Sequence, residues 1–211
     1  MPSRVTVAAA LLWLTLLSLS LVLSALAAAH DTLPGDTGIA TWAQDLSFPG
    51  EALADAVRSI TSTQLALAGG GALAVMLWIR GYRRHALIFA AGLLILPFLQ
   101  SGIKEIVDRP RPTADLVELR ASFSSPSFPS GHVMSSVYLY GFLLYLGLTL
   151  QLNAPARAAL AAVSGAVLTL SGPANVWLGV HWPSDVLGGY AWGIVLLVPV
   201  VAGCWSTSRR R

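Results

Sequence analysis

The sequence predicts an all-α polytopic membrane protein, a bundle of six transmembrane helices, and three observations carry that prediction. Of its 211 residues 55% are hydrophobic and only 11% charged, with a mean hydropathy of +0.68. A soluble domain carries about a quarter charged residues, so a bilayer is the natural solvent. Apolar stretches near the roughly 20 residues needed to cross the hydrocarbon recur along the chain, separated by short polar breaks. The charges, finally, are sorted by side.

The six stretches run from Val5 to Ala28, Thr63 to Ile79, Ala86 to Ile103, Val133 to Leu152, Ala158 to Val180 and Val186 to Trp205. Pro97 and Pro173 fall inside two of them, which membrane helices tolerate when neighbours satisfy the freed carbonyls. The first stretch also resembles a secretory signal, with Arg4 before it and small residues before His30, although it exceeds the 7 to 15 residues usual for a signal core. Between His30 and Ile60, Pro34, Gly35, Pro49 and Gly50 among acidic residues predict an exposed loop with short amphipathic helices on the membrane surface. The chain reads as one domain over 1–211: a first span and outer loop (1–62), a helical core (63–205) and a basic tail (206–211). The single cysteine, Cys204, excludes a disulfide framework or a cysteine-rich metal site.

With six spans both termini share one side, which collects Arg4, Arg80, Arg83, Arg84, Arg157 and Arg209 to Arg211. By the positive-inside rule that side is cytoplasmic. All ten carboxylates fall on the other side, with Arg58, Lys104, Arg109, Arg111 and Arg120. The expected setting is a plasma membrane of the bacterial inner-membrane kind, with cytoplasmic termini and the outer polar clusters facing the periplasm.

Three polar clusters sit at the outer ends of spans. Lys104 to Pro112 forms a cationic loop stiffened by Pro110 and Pro112. It reads either as an anchor for anionic headgroups or as a rigid clamp for a phosphoryl group, in which arginine supplies a planar fork and lysine a point charge. In Pro129-Ser130-Gly131-His132, Ser130 is placed to cap the next helix and Gly131 lets backbone approach an anion. That pair alone is also a plain helix start, but His132 beside it adds an imidazole able to donate a proton. In His181-Trp182-Pro183-Ser184-Asp185, the spacing of four can set the carboxylate against one imidazole nitrogen while the other faces substrate, or Asp185 can simply cap a helix.

Together these segments resemble the three-part signature of the type-2 phosphatidic acid phosphatase (PAP2) superfamily, K-x6-R-P, P-S-G-H and S-R-x5-H-x3-D. Lys104, Arg111 and Pro112 match the first, Pro129 to His132 the second, and His181 and Asp185 the third. The Ser-Arg positions hold Ala174 and Asn175 instead, so a cation of the family pattern is missing. Losing one such donor costs roughly 10²- to 10³-fold in rate in other enzymes. Asn175 keeps an amide donor, and Arg109 or Arg120 is a candidate replacement for the charge.

The resemblance implies a PAP2 or acid phosphatase-like helical fold and a membrane phosphatase. His181 would attack phosphorus and form a phosphohistidine, Asp185 would orient it, and His132 would protonate the leaving oxygen. Lys104, Arg111, Ser130 and Gly131 would bind the non-bridging oxygens. It implies no metal and no cofactor. The expected partners are a lipid phosphate and surrounding membrane lipids, with no nucleic acid; phosphatidic acid, phosphatidylglycerol phosphate, polyprenyl diphosphate and a glycolipid phosphate all fit. A rival is a weak or inactive phosphatase-like protein that binds lipid phosphate without turnover, for which Asn175 is the best support. A transporter fits poorly, since the polar residues gather at one interface rather than at the midplane.

Overall fold

The computed structural model describes residues 4–47, 50–121 and 123–205, and every regular element among them is a helix. Pro49 and the basic tail at 206–211 lie outside the described residues. The elements are α1 (Arg4–Ala29), α2 (Asp36–Asp45), α3 (Glu51–Ile60), α4 (Thr63–Ile79), α5 (Arg83–Val107), α6 (Gly131–Thr149), α7 (Ala154–Trp177) and α8 (Pro183–Trp205). Five of them, α1, α5, α6, α7 and α8, are long and apolar enough to cross a membrane unaided.

The remaining expected span is divided. Helix α4 has 17 residues, about 25 Å at 1.5 Å per residue, against a hydrocarbon core of roughly 30 Å. It reaches spanning length only together with α3, from which it is bent by 50°. The break lies at Thr61 and Ser62, where the Ser62 side chain accepts from the Leu65 N–H and starts a new helix. The fifth span is shifted toward the N-terminus relative to the apolar pattern, starting at Ala154 and not Ala158. Helix α7 stops at Trp177 rather than Val180 because Gly179 takes a left-handed φ of 68°, where an added Cβ would strike the Glu118 carbonyl.

Helix α6 is the centre of the bundle, with Val133, Met134, Ser135, Ser136, Val137 and Tyr138 all buried and with α7 and α8 packed against it. Close approach comes from small residues on α8, the usual device where lipid supplies no hydrophobic drive between helices. A Cβ on Gly193 would lie 2.7 Å from Val137 Cβ and 3.2 Å from the Met134 carbonyl oxygen. Helix α1 lies against α8 and α5 and is tied by Trp13 Nε1 to the Val195 carbonyl (2.9 Å) and by Trp192 Nε1 to Ser24 Oγ (3.0 Å).

The segment between α1 and α4 carries the two short helices its composition suggests and is mostly exposed, but it is docked on the bundle. Helices α2 and α3 dock on α7, burying Ala40, Ala54 and Val57, and Asp36 is only 2% exposed. Asp36 is buried because Arg109 is. The Arg109 guanidinium donates to Asp36 Oδ2, Asp185 Oδ1 and Ser184 Oγ, each at 2.7 Å, and its Nε donates to the Asp31 carbonyl at 3.1 Å. Asp36 is further held by the Ser184 N–H (3.0 Å) and the Leu33 N–H (2.8 Å). One guanidinium therefore ties the start of α2, the chain after α5 and the first turn of α8.

Two predictions follow from this packing. Gly193→Leu should force α6 and α8 apart at an overpacking cost of about 1 to 3 kcal/mol, read as a lowered melting temperature in detergent. Asp36→Ala leaves Arg109 buried with one partner lost, and truncating a buried pair costs about 3 to 5 kcal/mol. A melting temperature equal to that of the parent would show that α2 is not anchored through this pair.

Candidate functional site

The turn between α7 and α8 presents His181, which is 2% exposed. Its Nδ1 faces Asp185 Oδ2 at 3.5 Å, an ion-pair separation too long for a good hydrogen bond, and has no closer partner. Asp185 itself is fully buried and firmly held. Its Oδ1 accepts from Arg109, and its Oδ2 accepts from the Ser127 hydroxyl and from the Trp182 N–H at 2.8 Å. A carboxylate on the Nδ1 side favours the tautomer with its proton there, leaving a lone pair on Nε2. Nε2 lies 3.5 Å from Arg111 Nη1. Burial pushes the His181 pKa down to about 4; Asp185 opposes the shift, while the charges of Arg111 and Lys104 reinforce it. The ring is neutral at pH 7.

The cations come from the end of α5 and the loop beyond it. Lys104 donates to the Pro126 carbonyl and, at 3.5 Å, to that of Ser127. Arg111 is fixed by three oxygens: its Nε donates to the Ser125 carbonyl (2.7 Å), its Nη2 to Ser125 Oγ (3.1 Å) and its Nη1 to the Val180 carbonyl (2.5 Å). Its pKa is lowered to about 10, chiefly by burial, with Asp185 opposing and Arg58 adding to the shift. It stays charged.

The first turn of α6 completes the site. Ser130 stands at the N-cap position, yet its side chain makes no capping bond, contrary to the sequence reading, and its buried Oγ has no partner. Its backbone is the useful part, since the Ser130 N–H donates to the Asp185 carbonyl at 3.0 Å and locks α6 against α8. Gln100 donates to the Gly131 carbonyl at 3.1 Å. The His132 ring lies 6.0 Å from the Phe123 ring.

Lys104, Arg111, Gly131, His132 and His181 line one cavity of about 570 Å³ at the end of the bundle where α5 finishes and α6 and α8 begin. Its charged walls are cationic, which suits an anion. Among the described residues no three His, Cys, Asp or Glu side chains gather into a metal-binding set.

Several expected participants stand elsewhere, Ser130 among them, fully buried and absent from the cavity wall. Arg109 is bound to Asp36 and Asp185 behind the nucleophile candidate and does not line the cavity, so it supports the carboxylate instead of meeting substrate. Arg120 lies over the Trp177 ring at 3.8 Å and pairs with Glu118, also away from the cavity. Asn175 is fully buried in α7 and absent from the cavity wall, with one amide N–H given to the Ser171 carbonyl at 2.7 Å. Pro112 is buried beside Arg111. Sequence reasoning missed Asp36, Ser125, Ser127, Gln100 and Phe123, and it left Arg58, which lines the same cavity, as one more outer cation. No short motif marks them; Gln100 comes from within α5, and the others reach the site through folding of the 30–60 and 113–128 segments.

A family model described as the PAP2 superfamily matches residues 85–209. Over 99 residues the chain is 34% identical to phosphatidylglycerophosphatase B of Bacillus subtilis (strain 168), covering 46% of this chain and 47% of that protein, so the match spans about half of the relative's length. The crystal structure of the first transmembrane PAP2 type phosphatidylglycerolphosphate phosphatase from Bacillus subtilis superposes over 94% of this chain and 98% of the other, with a TM-score of 0.80 and 23% identity, a likeness of fold. The family match covers more than half of the chain and takes in all three site segments, and the chain belongs to the PAP2 superfamily.

Proposed function

We propose that this protein is a membrane phosphatase that removes a phosphoryl group from a lipid phosphate, with phosphatidylglycerol phosphate the first substrate to test. The observation that carries the reading is the meeting of His132, His181, Lys104 and Arg111 in one cavity at one end of a membrane bundle. The name of the Bacillus subtilis relative supports the choice of substrate. We place that end at the outer face of a bacterial inner membrane, with the termini in the cytoplasm, on the strength of the segregated charges.

In the first step the Nε2 lone pair of His181 attacks phosphorus in line and a P–N bond forms. The ester P–O bond breaks, and the departing alkoxide takes a proton from His132. In the second step water attacks the phosphohistidine, His132 accepts its proton, the P–N bond breaks and inorganic phosphate leaves. Lys104 and Arg111 stabilise the charge on the non-bridging oxygens, which is most of what a protein can do for a loose phosphoryl transition state. Asp185 acts at a distance, balancing the positive ring that the first attack creates and the second discharges. Positive cavity walls hold a phosphate without a bridging divalent ion, so the reaction is expected to proceed in chelator.

Phosphate release from phosphatidylglycerol phosphate in mixed micelles containing chelator tests the reading. His181→Ala should abolish release, and His132→Ala should lower it by about 10²- to 10⁴-fold. A parent protein inert across a panel of lipid phosphates would overturn the enzymatic reading in favour of a phosphate-binding protein.

Titration offers a second check. The folded His181 resists protonation until about pH 4, whereas an unfolded chain takes up that proton near 6.5. Stability is therefore fully present above pH 6.5 and is lost as pH falls from there toward 4, with no further loss from this group below. Labelled-histidine NMR, with His181→Ala to assign the signal, should show this ring titrating near pH 4; a midpoint near 6.5 would contradict the buried neutral nucleophile.

A further inference from the structure

The family pattern expects a cation at position 175, the chain has Asn175, and neither Arg109 nor Arg120 takes its place. A fourth arginine does reach the cavity. Arg58, near the end of α3, lines it beside Lys104, Arg111, His132 and His181. Its Cζ lies 4.3 Å from the centroid of the Phe123 ring, whose centroid is also 4.8 Å from Arg111 Cζ and 6.0 Å from the His132 ring. One aromatic ring thus serves as a common support for two guanidiniums and the imidazole.

The placement is built by packing. The residue before Arg58, Val57, is 4% exposed, and with Ala54 it joins a buried cluster containing Ala174, Trp177 and Leu178 of the α7 end. Helix α3 therefore packs on the stretch of α7 where the Ser-Arg pair would stand. Small Ala174 is part of that seat.

The guanidinium is also poorly satisfied by the protein. Its Nε is buried with no hydrogen-bond partner, and its carboxylate neighbour Asp55 is 3.9 Å away and half exposed. Three cations around one cavity repel one another, and a cation stacked on a ring with an idle donor is well arranged only when an anion arrives. Resting on the phosphatase reading above, we propose that Arg58 supplies the cation missing at position 175 and binds the non-bridging oxygens of the phosphoryl group with Lys104 and Arg111. The charge has moved from α7 to the bent α3–α4 unit.

Orthovanadate, a phosphoryl analogue, separates this inference from the reading beneath it, because its binding does not require turnover. With full-length detergent-solubilised protein, Arg58→Gln should weaken vanadate affinity by roughly 10- to 100-fold and lower kcat/KM on lipid phosphate to a similar extent, while Arg58→Lys should recover a substantial part of both. The melting temperature of each variant without vanadate checks that α3 stays docked. If Arg58→Gln binds vanadate as tightly as the parent, or if Arg58→Lys is as impaired as Arg58→Gln, the inference is overturned whatever the enzyme does. A parent that binds vanadate in an Arg58-dependent way but releases no phosphate would leave the inference standing and sink the phosphatase reading.

Discussion

The site depends on a carboxylate kept charged inside a membrane protein. Asp185 has no exposure, and an isolated ion there would cost several kcal/mol. It is tolerated because Arg109, Ser127 and the Trp182 N–H all donate to it, and because Arg109 is in turn balanced by Asp36. With its four-residue offset from His181, this anchored carboxylate decides which imidazole nitrogen is left for the cavity. Everything on the reactive side inherits its position from this unreactive side.

Charge is layered accordingly. Behind His181 lie the two carboxylates and the buried guanidinium; in front lie Lys104, Arg111 and Arg58 around an open volume. The rear layer is self-compensating and rigid. The front layer is not, and its surplus positive charge is complementary to a phosphoryl dianion rather than to a neutral ester. On the proposed mechanism these residues divide between holding the nucleophile and holding the electrophile.

Much of this was legible in the sequence because membrane folding imposes coarse rules. Apolar runs located the spans to within a few residues, and Lys104, Arg111, His132, His181 and Asp185 stood out as polar groups at their ends. The errors have a common physical origin. Arg109 and Arg111 are two residues apart in one loop, and only the three-dimensional arrangement shows that one turns into the protein toward Asp36 while the other turns toward the cavity. Composition likewise gave no sign that the largely exposed 30–60 segment is docked, since a carboxylate such as Asp36 looks solvated until its partner is known. Ser130 looked like a cap, but the α6 terminus is held through its backbone by α8. Long-range pairing of polar groups leaves no periodic trace.

The 50° bend between α3 and α4 has a consequence for the surrounding lipid. A straight segment of 17 residues is several ångströms shorter than the hydrocarbon it must traverse. A short span is accommodated by thinning of the bilayer, by snorkelling of flanking residues or by association with a neighbour, each at a fraction of a kcal/mol per ångström. Ser62, Thr63 and Gln64, at the upper end of that short segment, also form part of the cavity wall. The bend thus brings the polar start of a short helix to the wall of the proposed reaction chamber, so that a change in its angle would redraw the border between lipid and cavity.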